Sequence, residues 1–308
     1  MLGPMLLTAS RSRSVRRLVS TTPGATHIVD RFVVGETLDH AVGATRTLAG
    51  QGFAVTLDHL GEDVTDATQA ATTRATYVSL LERLAEVGLT DRAEVSLKLS
   101  ALGQALPRDG HQVALAHAHA ICTAAQRAGT TVTLDMEDHT TVDSTLGVLG
   151  ELRADFPWVG AVLQSALLRT EADCRDLARA GSRVRLVKGA YAEPASVAHA
   201  AKADVDLAYV RCLKVLMAGD GYPMVASHDP RMVTLAGALA TRFERSSDSY
   251  EYQMLYGIRT SEQRRLADAG EQLRVYVPFG ADWYGYFMRR LAERPANVGF
   301  FLRSLISR

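Results

Sequence analysis

The chain has 308 residues, 47% of them hydrophobic, and its 34 basic side chains balance 34 acidic ones. That length and apolar content bury a full core, either one large α/β barrel or two ordinary domains, and exclude a disordered chain. Zero formal net charge gives no global field toward nucleic acid, and no apolar run is long enough to span a bilayer, so any membrane contact is peripheral.

Taken in order, the first 29 residues carry Arg11, Arg13, Arg16 and Arg17 and no acidic residue, a composition similar to a mitochondrial transit peptide. Arginine makes up 30 of the 34 basic residues, so such stretches are expected anywhere in this chain, and Val15 to Val19 is read as ordinary helix. The apolar run Met5 to Leu7 is too short for a secretory signal. Helical periodicity covers Glu36 to Gln51 and ends at Gly52, which closes an N-terminal helical arm, residues 1–52.

From Phe53 a rhythm of strand and helix begins. Strand-like runs are predicted at Phe53 to Leu57, Glu94 to Leu99, Thr131 to Asp135, Val159 to Leu163, Val184 to Val187, Tyr222 to Ser227, Tyr250 to Met254 and Arg274 to Val277. Amphipathic segments rich in Ala, Leu and Arg separate them. Alternating strands and helices imply right-handed crossovers and a parallel sheet. Eight even units make a closed (β/α)8 barrel of the TIM type over residues 53–308 the economical fold, with a doubly wound sheet as the alternative. No G-x-G-x-x-G follows any strand and no phosphate-loop lysine motif is present. Cys122, Cys174 and Cys212 are odd in number and embedded in helical segments, as buried thiols of a reducing, cytoplasmic compartment would be.

In such a barrel the chemistry collects at the C-terminal ends of the strands. Those ends carry Asp58 and His59, Lys98 and Ser100, Asp135 and Glu137, Gln164, Arg185 and Lys188, Ser227 and His228, and Gln253. Only four lysines exist, and two of them, Lys98 and Lys188, fall in or just after strands. Leu97 and Leu99 flank Lys98, so its ammonium is expected to point to the barrel axis, with Asp135 as its partner; a structural ion pair is the competing reading. Lys188-Gly189-Ala190 places backbone amides beside a lysine, a weak phosphate signal. His117 and His119 lie on different faces of one helix and cannot chelate a metal together, and Ser165 lacks a nucleophile elbow. No metal site is predicted.

The last strand is expected to stop at Pro278 and Gly280, with Asp282 capping a helix from Trp283 to Glu293. On that helix Tyr286, Arg289, Arg290 and Glu293 share a face, while Tyr284, Phe287 and Leu291 pack on the body. A solvated charged face is the plain reading. Adjacent arginines repel unless an anion lies between them, however, and a guanidinium binds a small carboxylate through two parallel hydrogen bonds.

Seven short motifs resemble, in order, the proline dehydrogenase family of the bacterial monofunctional type. They are Val95 to Ser100, Leu134 to Glu137, Val162 to Gln164, Arg185 to Tyr191, Ala226 to Asp229, Gln253 to Gly257, and Tyr286-x-x-Arg289-Arg290-x-x-Glu293. The resemblance runs from about Val29 to the C-terminus; Ser227 stands where the family often has threonine, and the N-terminal arm differs. It implies a (β/α)8 flavoenzyme with noncovalent FAD that oxidises L-proline to Δ1-pyrroline-5-carboxylate and passes electrons to a membrane quinone, from the cytoplasm or the inner face of the cytoplasmic membrane. It further implies that Lys98, Arg289 and Arg290 bind the substrate carboxylate, that Tyr286 and Leu255 wall the ring, and that Glu293 supports the cations. Met136, Gln164, Lys188, Gly189, Ala190, Ser227 and His228 would touch the cofactor. Arg185 would lie beside the flavin N5, with Asp135 holding the cations in place. Other chemistry on the same barrel stays open: a Schiff-base aldolase using Lys98 or Lys188, a metal-dependent hydrolase using Asp58, His59, Asp135, Glu137 and His228, or a ligand-binding barrel without turnover.

Overall fold

The structure, a computed structural model, describes residues 29–293, with backbone alone for 291–293. The arginine-rich segment of residues 1–28 and the side chains of Leu291 and Glu293 lie outside the described residues. Eight parallel strands close in sequence order: β1 (Ala54–His59), β2 (Ala93–Leu97), β3 (Val132–Leu134), β4 (Gly160–Gln164), β5 (Arg183–Val187), β6 (Tyr222–Ala226), β7 (Glu251–Leu255) and β8 (Leu273–Phe279). The barrel shuts where β1 pairs with β8, Val55 opposite Val275 and Asp58 opposite Pro278.

Among the described residues, helix α1 (Leu38–Gly50) precedes the barrel, and one helix follows each strand: α2 (Ala67–Glu86), α3 (Gly110–Ala128), α4 (Val142–Asp155), α5 (Thr170–Leu177), α6 (Lys202–Ala218), α7 (Pro230–Arg242), α8 (Thr260–Asp268) and α9 (Trp283–Glu293). Local chemistry starts several of them. Thr37, Asp66 and Asp229 each accept a hydrogen bond from an amide of the first turn, and Pro230 opens α7 where its missing N–H is not needed.

The strand residues sort by alternation into two faces. Val55, Leu57, Val95, Leu97, Val132, Leu134, Val184, Leu186, Val275 and Val277 are buried and join the apolar cluster shared with the helices. The positions between them are polar: Thr56 and Asp58, Glu94 and Ser96, Arg183 and Arg185, Glu251 and Gln253, Arg274 and Tyr276. Side chains of β2, β5 and β8 meet one another directly, which is possible only through the inside of the barrel. A second apolar cluster, of Val29, Phe32, Val33, Leu60, Tyr284, Tyr286, Phe287 and Met288, fastens α9 and the segment before α1 to the end of β1.

Most strand ends differ from the sequence expectation by one or two residues, and three of the differences bear on the site. β2 stops at Leu97 because Leu99 already has helical angles (φ −67°, ψ −28°) and leads into a short 3-10 turn, Ser100–Leu102. Lys98 is therefore at the rim and not within the strand. β3 ends at Leu134, one residue before Asp135. Pro278 does not stop β8: its carbonyl accepts from the Val34 amide at 3.2 Å, and the turn comes at Gly280, whose φ of +119° suits glycine. Tyr286 keeps the expected company of Arg290, whose guanidinium lies 5.1 Å from its ring centre, and is also buried in the second apolar cluster.

Candidate active site

The polar interior is layered. At the lower layer Glu94, 1% exposed, accepts from Thr56 and Thr131 and pairs with Arg183 at 2.7 Å, Arg185 at 3.6 Å and Arg274 at 3.8 Å. Burial alone would raise its carboxyl, but the three guanidiniums prevail and hold it well below the usual range. Arg274 also reaches Glu251 at 2.8 Å. One layer up, Arg185 donates Nε to Gln253 and Nη1 to Ser96 and Asp135, at 2.5, 3.0 and 2.7 Å. Its guanidinium lies 5.2 Å from the centre of the Tyr276 ring. With so many fixed partners it has one available orientation.

Asp135 joins this layer to the mouth. Besides Arg185, its carboxylate accepts from Ser96 Oγ at 2.8 Å and Tyr276 Oη at 2.6 Å. Lys98 lies above it and makes the expected ion pair with it, at 3.8 Å. The sequence missed a second and shorter partner: the ammonium also bonds Asp58 at 2.7 Å, because the chain turns after Leu97 and carries Lys98 toward β1. Burial pulls the Lys98 ammonium down, yet Asp58 and Asp135 outweigh it and keep it charged far into the alkaline range.

Around Lys98 stand groups from three loops. Glu62, after β1, is placed by the Ser100 turn, which accepts from the Asp63 and Val64 amides at 3.2 and 3.1 Å. Its carboxylate takes the Arg289 guanidinium of α9 in a two-pronged pair, one arm at 2.9 Å. Burial alone would lower Arg289, and Glu62 reverses that. Glu137, after β3, accepts from Ser100 Oγ and N at 2.5 and 3.1 Å, and burial still pushes its carboxyl up to about 7. Tyr191, after β5, feels Glu62, Glu137, Lys98 and Arg289, and burial first and the two carboxylates next raise its phenol. Arg290 places its guanidinium 5.1 Å from the centre of the Tyr286 ring. The result is a mouth with fixed cations, partly offset acids and an aromatic wall, suited to holding a small anion without offering a nucleophile.

A sequence model of the family described as proline dehydrogenase matches residues 41–303. The chain is 38% identical to the proline dehydrogenase of Deinococcus radiodurans over 284 residues, 91% of this chain and 90% of that one. It is 36% identical to proline dehydrogenase 1 of Bacillus subtilis over 278 residues, 90% of each. The chain belongs to the proline dehydrogenase family. It is thus an oxidoreductase of proline catabolism, and the aldolase and hydrolase readings are not favoured. Among solved structures it resembles proline utilization A from Bdellovibrio bacteriovorus inactivated by N-propargylglycine, with a TM-score of 0.79 and 24% identity, a likeness of fold. That match covers 87% of this chain and 32% of the other, so the chain spans about a third of the longer protein. Proline utilization A of Bradyrhizobium japonicum gives 0.73 at 25% identity, again over 32% of that chain.

Set against what membership of the proline dehydrogenase family leads one to expect, the structure brings Lys98, Asp135, Arg185 and Arg289 into one region. Gln164 joins them at the rim, its amide donating to the Glu137 carbonyl at 2.7 Å, and Met136 is buried beside it in sequence. Lys188 is engaged elsewhere, bonded to Asp206 at 2.5 Å and Asp229 at 2.8 Å. Ser227 Oγ accepts the Asp229 amide, and His228 Nε2 accepts the Leu255 amide at 2.9 Å, which joins the ends of β6 and β7. Glu62, Tyr191, Tyr276 and Glu94 were not singled out from sequence. Tyr276 and Glu94 carried a usable signal, a polar residue between two apolar ones within a strand; Glu62 lies in a loop and had none.

Proposed function

We propose that this mouth binds L-proline by its carboxylate and oxidises it to Δ1-pyrroline-5-carboxylate with a noncovalently held FAD, electrons passing on to a membrane quinone met by peripheral contact from the cytoplasmic side. The observation that carries the reading is the convergence of Lys98, Arg289, Tyr191 and Glu62 above the fixed Arg185–Asp135 pair. Lys98 spends one of its three N–H bonds on Asp58 at hydrogen-bond distance, which leaves donors for a carboxylate oxygen. Arg289 is neutralised by Glu62, so the substrate carboxylate must share or replace that partner; Arg290 is the third proposed carboxylate ligand, Tyr286 and Leu255 are the proposed ring wall, and Glu293, its side chain outside the described residues, is the expected support.

The residues fit a flavin dinucleotide on local grounds. Gly189 holds φ +113°, and a Cβ there would come 3.0 Å from Ala166 Cβ. Among the described residues the Gly189 and Ala190 amides have no hydrogen-bond partner, so this turn can present them to phosphate oxygens. Met136, Gln164, Ser227 and His228 would be further contacts at the same strand ends, Lys188 would join them with the N–H that Asp206 and Asp229 leave, and Arg185 would be the group nearest the reacting atoms. When bound, the flavin would supply a two-electron acceptor. The chain's own work is positioning: to clamp the carboxylate, exclude water and fix the ring carbon beside the amine. The test is the purified protein itself, which should be yellow and should lose its colour with proline in the absence of air. A colourless protein that takes up no flavin, or a yellow one indifferent to proline, would overturn the reading.

A further inference from the structure

The loop between β5 and α6, residues 188–201, carries Tyr191 to the mouth, and its two halves are held differently. The second half is pinned to the segment after β4 by backbone bonds, Leu168 to Val197 at 2.9 Å and His199 to Ala166 at 2.8 Å. Among the described residues, the stretch 189–193 has a single hydrogen-bonded tether, the Glu193 side chain. Glu193 reaches across 54 positions to the loop after β3, where it accepts from the His139 amide at 3.0 Å and meets His139 Nδ1 at 2.5 Å. A carboxylate only accepts, so the ring nitrogen facing it carries the proton. The Glu193 side chain is 6% exposed although the loop around it is largely open to solvent.

The two clasped residues stand in matching places. His139 is two residues beyond Glu137, and Glu193 is two residues beyond Tyr191. Glu137 and Tyr191 are the groups that these two loops present to the mouth beside Lys98 and Arg289.

We infer that His139 and Glu193 are positioning residues, a clasp between the β3 and β5 loops that sets Tyr191 against the bound substrate. The inference rests on the functional reading above. Without the clasp, residues 189–193 hang between Lys188 and Pro194, and the pocket wall loses its register while the barrel is untouched.

The experiment compares Glu193→Ala, Glu193→Gln, Tyr191→Ala and the Glu193→Ala/Tyr191→Ala double variant of the full chain. Two readouts are used: amide hydrogen exchange over residues 189–193, and the split between KM for proline and kcat. Glu193→Ala should speed exchange there and raise KM by about tenfold while changing kcat far less. Glu193→Gln, which keeps both hydrogen bonds through the other imidazole tautomer, should restore wild-type exchange and KM. In the Tyr191→Ala background Glu193→Ala should add nothing further to KM. Unchanged exchange in Glu193→Ala, a full additive effect on Tyr191→Ala, or a glutamine variant as impaired as the alanine one would each overturn the inference. If Glu193→Ala does not fold, His139→Ala is judged by the same criteria. The exchange comparison needs no turnover: wild-type protein inert toward proline would sink the functional reading, whereas normal turnover with unchanged exchange would sink the clasp alone.

Discussion

Replacing Lys98 by methionine separates the two readings of this lysine, structural ion pair and substrate ligand. The methionine matches the length of the stem but leaves Asp58, 1% exposed, facing Tyr77 Oη at 3.5 Å as its remaining partner near the mouth. An uncompensated buried charge of this kind costs about 3–5 kcal/mol. For a chain of this size each kcal/mol moves Tm by roughly 1.5 °C, so thermal melting of Lys98→Met should fall by about 5–8 °C. Adding Asp58→Asn removes the stranded charge, and most of the lost Tm should return. Proline binding should not return with it, because the missing charge-assisted hydrogen bond is worth about 1.5–3 kcal/mol, or roughly a ten- to hundredfold rise in KM in both variants. Melting curves and proline-dependent reduction of an artificial acceptor provide the two measurements. If the double variant regained KM together with stability, Lys98 would be a structural residue only, and the carboxylate clamp would lose its central member.

Three further outcomes are expected. Arg289→Ala removes a partly exposed pair with Glu62, so stability should fall by only about 1 kcal/mol while KM for proline rises at least tenfold; equal and small effects on both would refute its role in binding. Glu94→Ala strands Arg183, whose other hydrogen-bond partners are the Thr131 hydroxyl and the Met224 sulfur, and should cost about 3–5 kcal/mol, read as a lowered denaturant midpoint. Glu137 has its folded carboxyl up at about 7 against an ordinary 4.5, so the folded state holds the extra proton between those values. Its contribution to stability is therefore neutral below about pH 4.5, falls as pH rises, and reaches a penalty of up to ~3 kcal/mol above pH 7. The difference in midpoint between wild type and Glu137→Gln across pH 5–8 should show that slope, and a pH-independent difference would refute it.

Much of the architecture was written locally. Period-two alternation in the strands and the amphipathic periodicity of the segments between them are properties of neighbouring residues, and they led to eight βα units and a barrel. The motif order led to the family and to Lys98, Asp135, Arg185 and Arg289 as members of one site. What only the tertiary structure decided were the pairings between distant strands and loops. Sequence adjacency suggested Asp135 for Lys98, and the two pair at 3.8 Å, but the shorter bond, 2.7 Å, goes to Asp58 on the neighbouring strand β1, which the turn after Leu97 brings within reach. Glu62 meets Arg289 across 227 positions, and Tyr286, beside Arg290, is also buried in an apolar cluster built from distant segments. The physical reason is range: alternation and capping are settled within a few residues, whereas the partner of a buried charge depends on which strands the barrel brings together and how far each rim residue has turned.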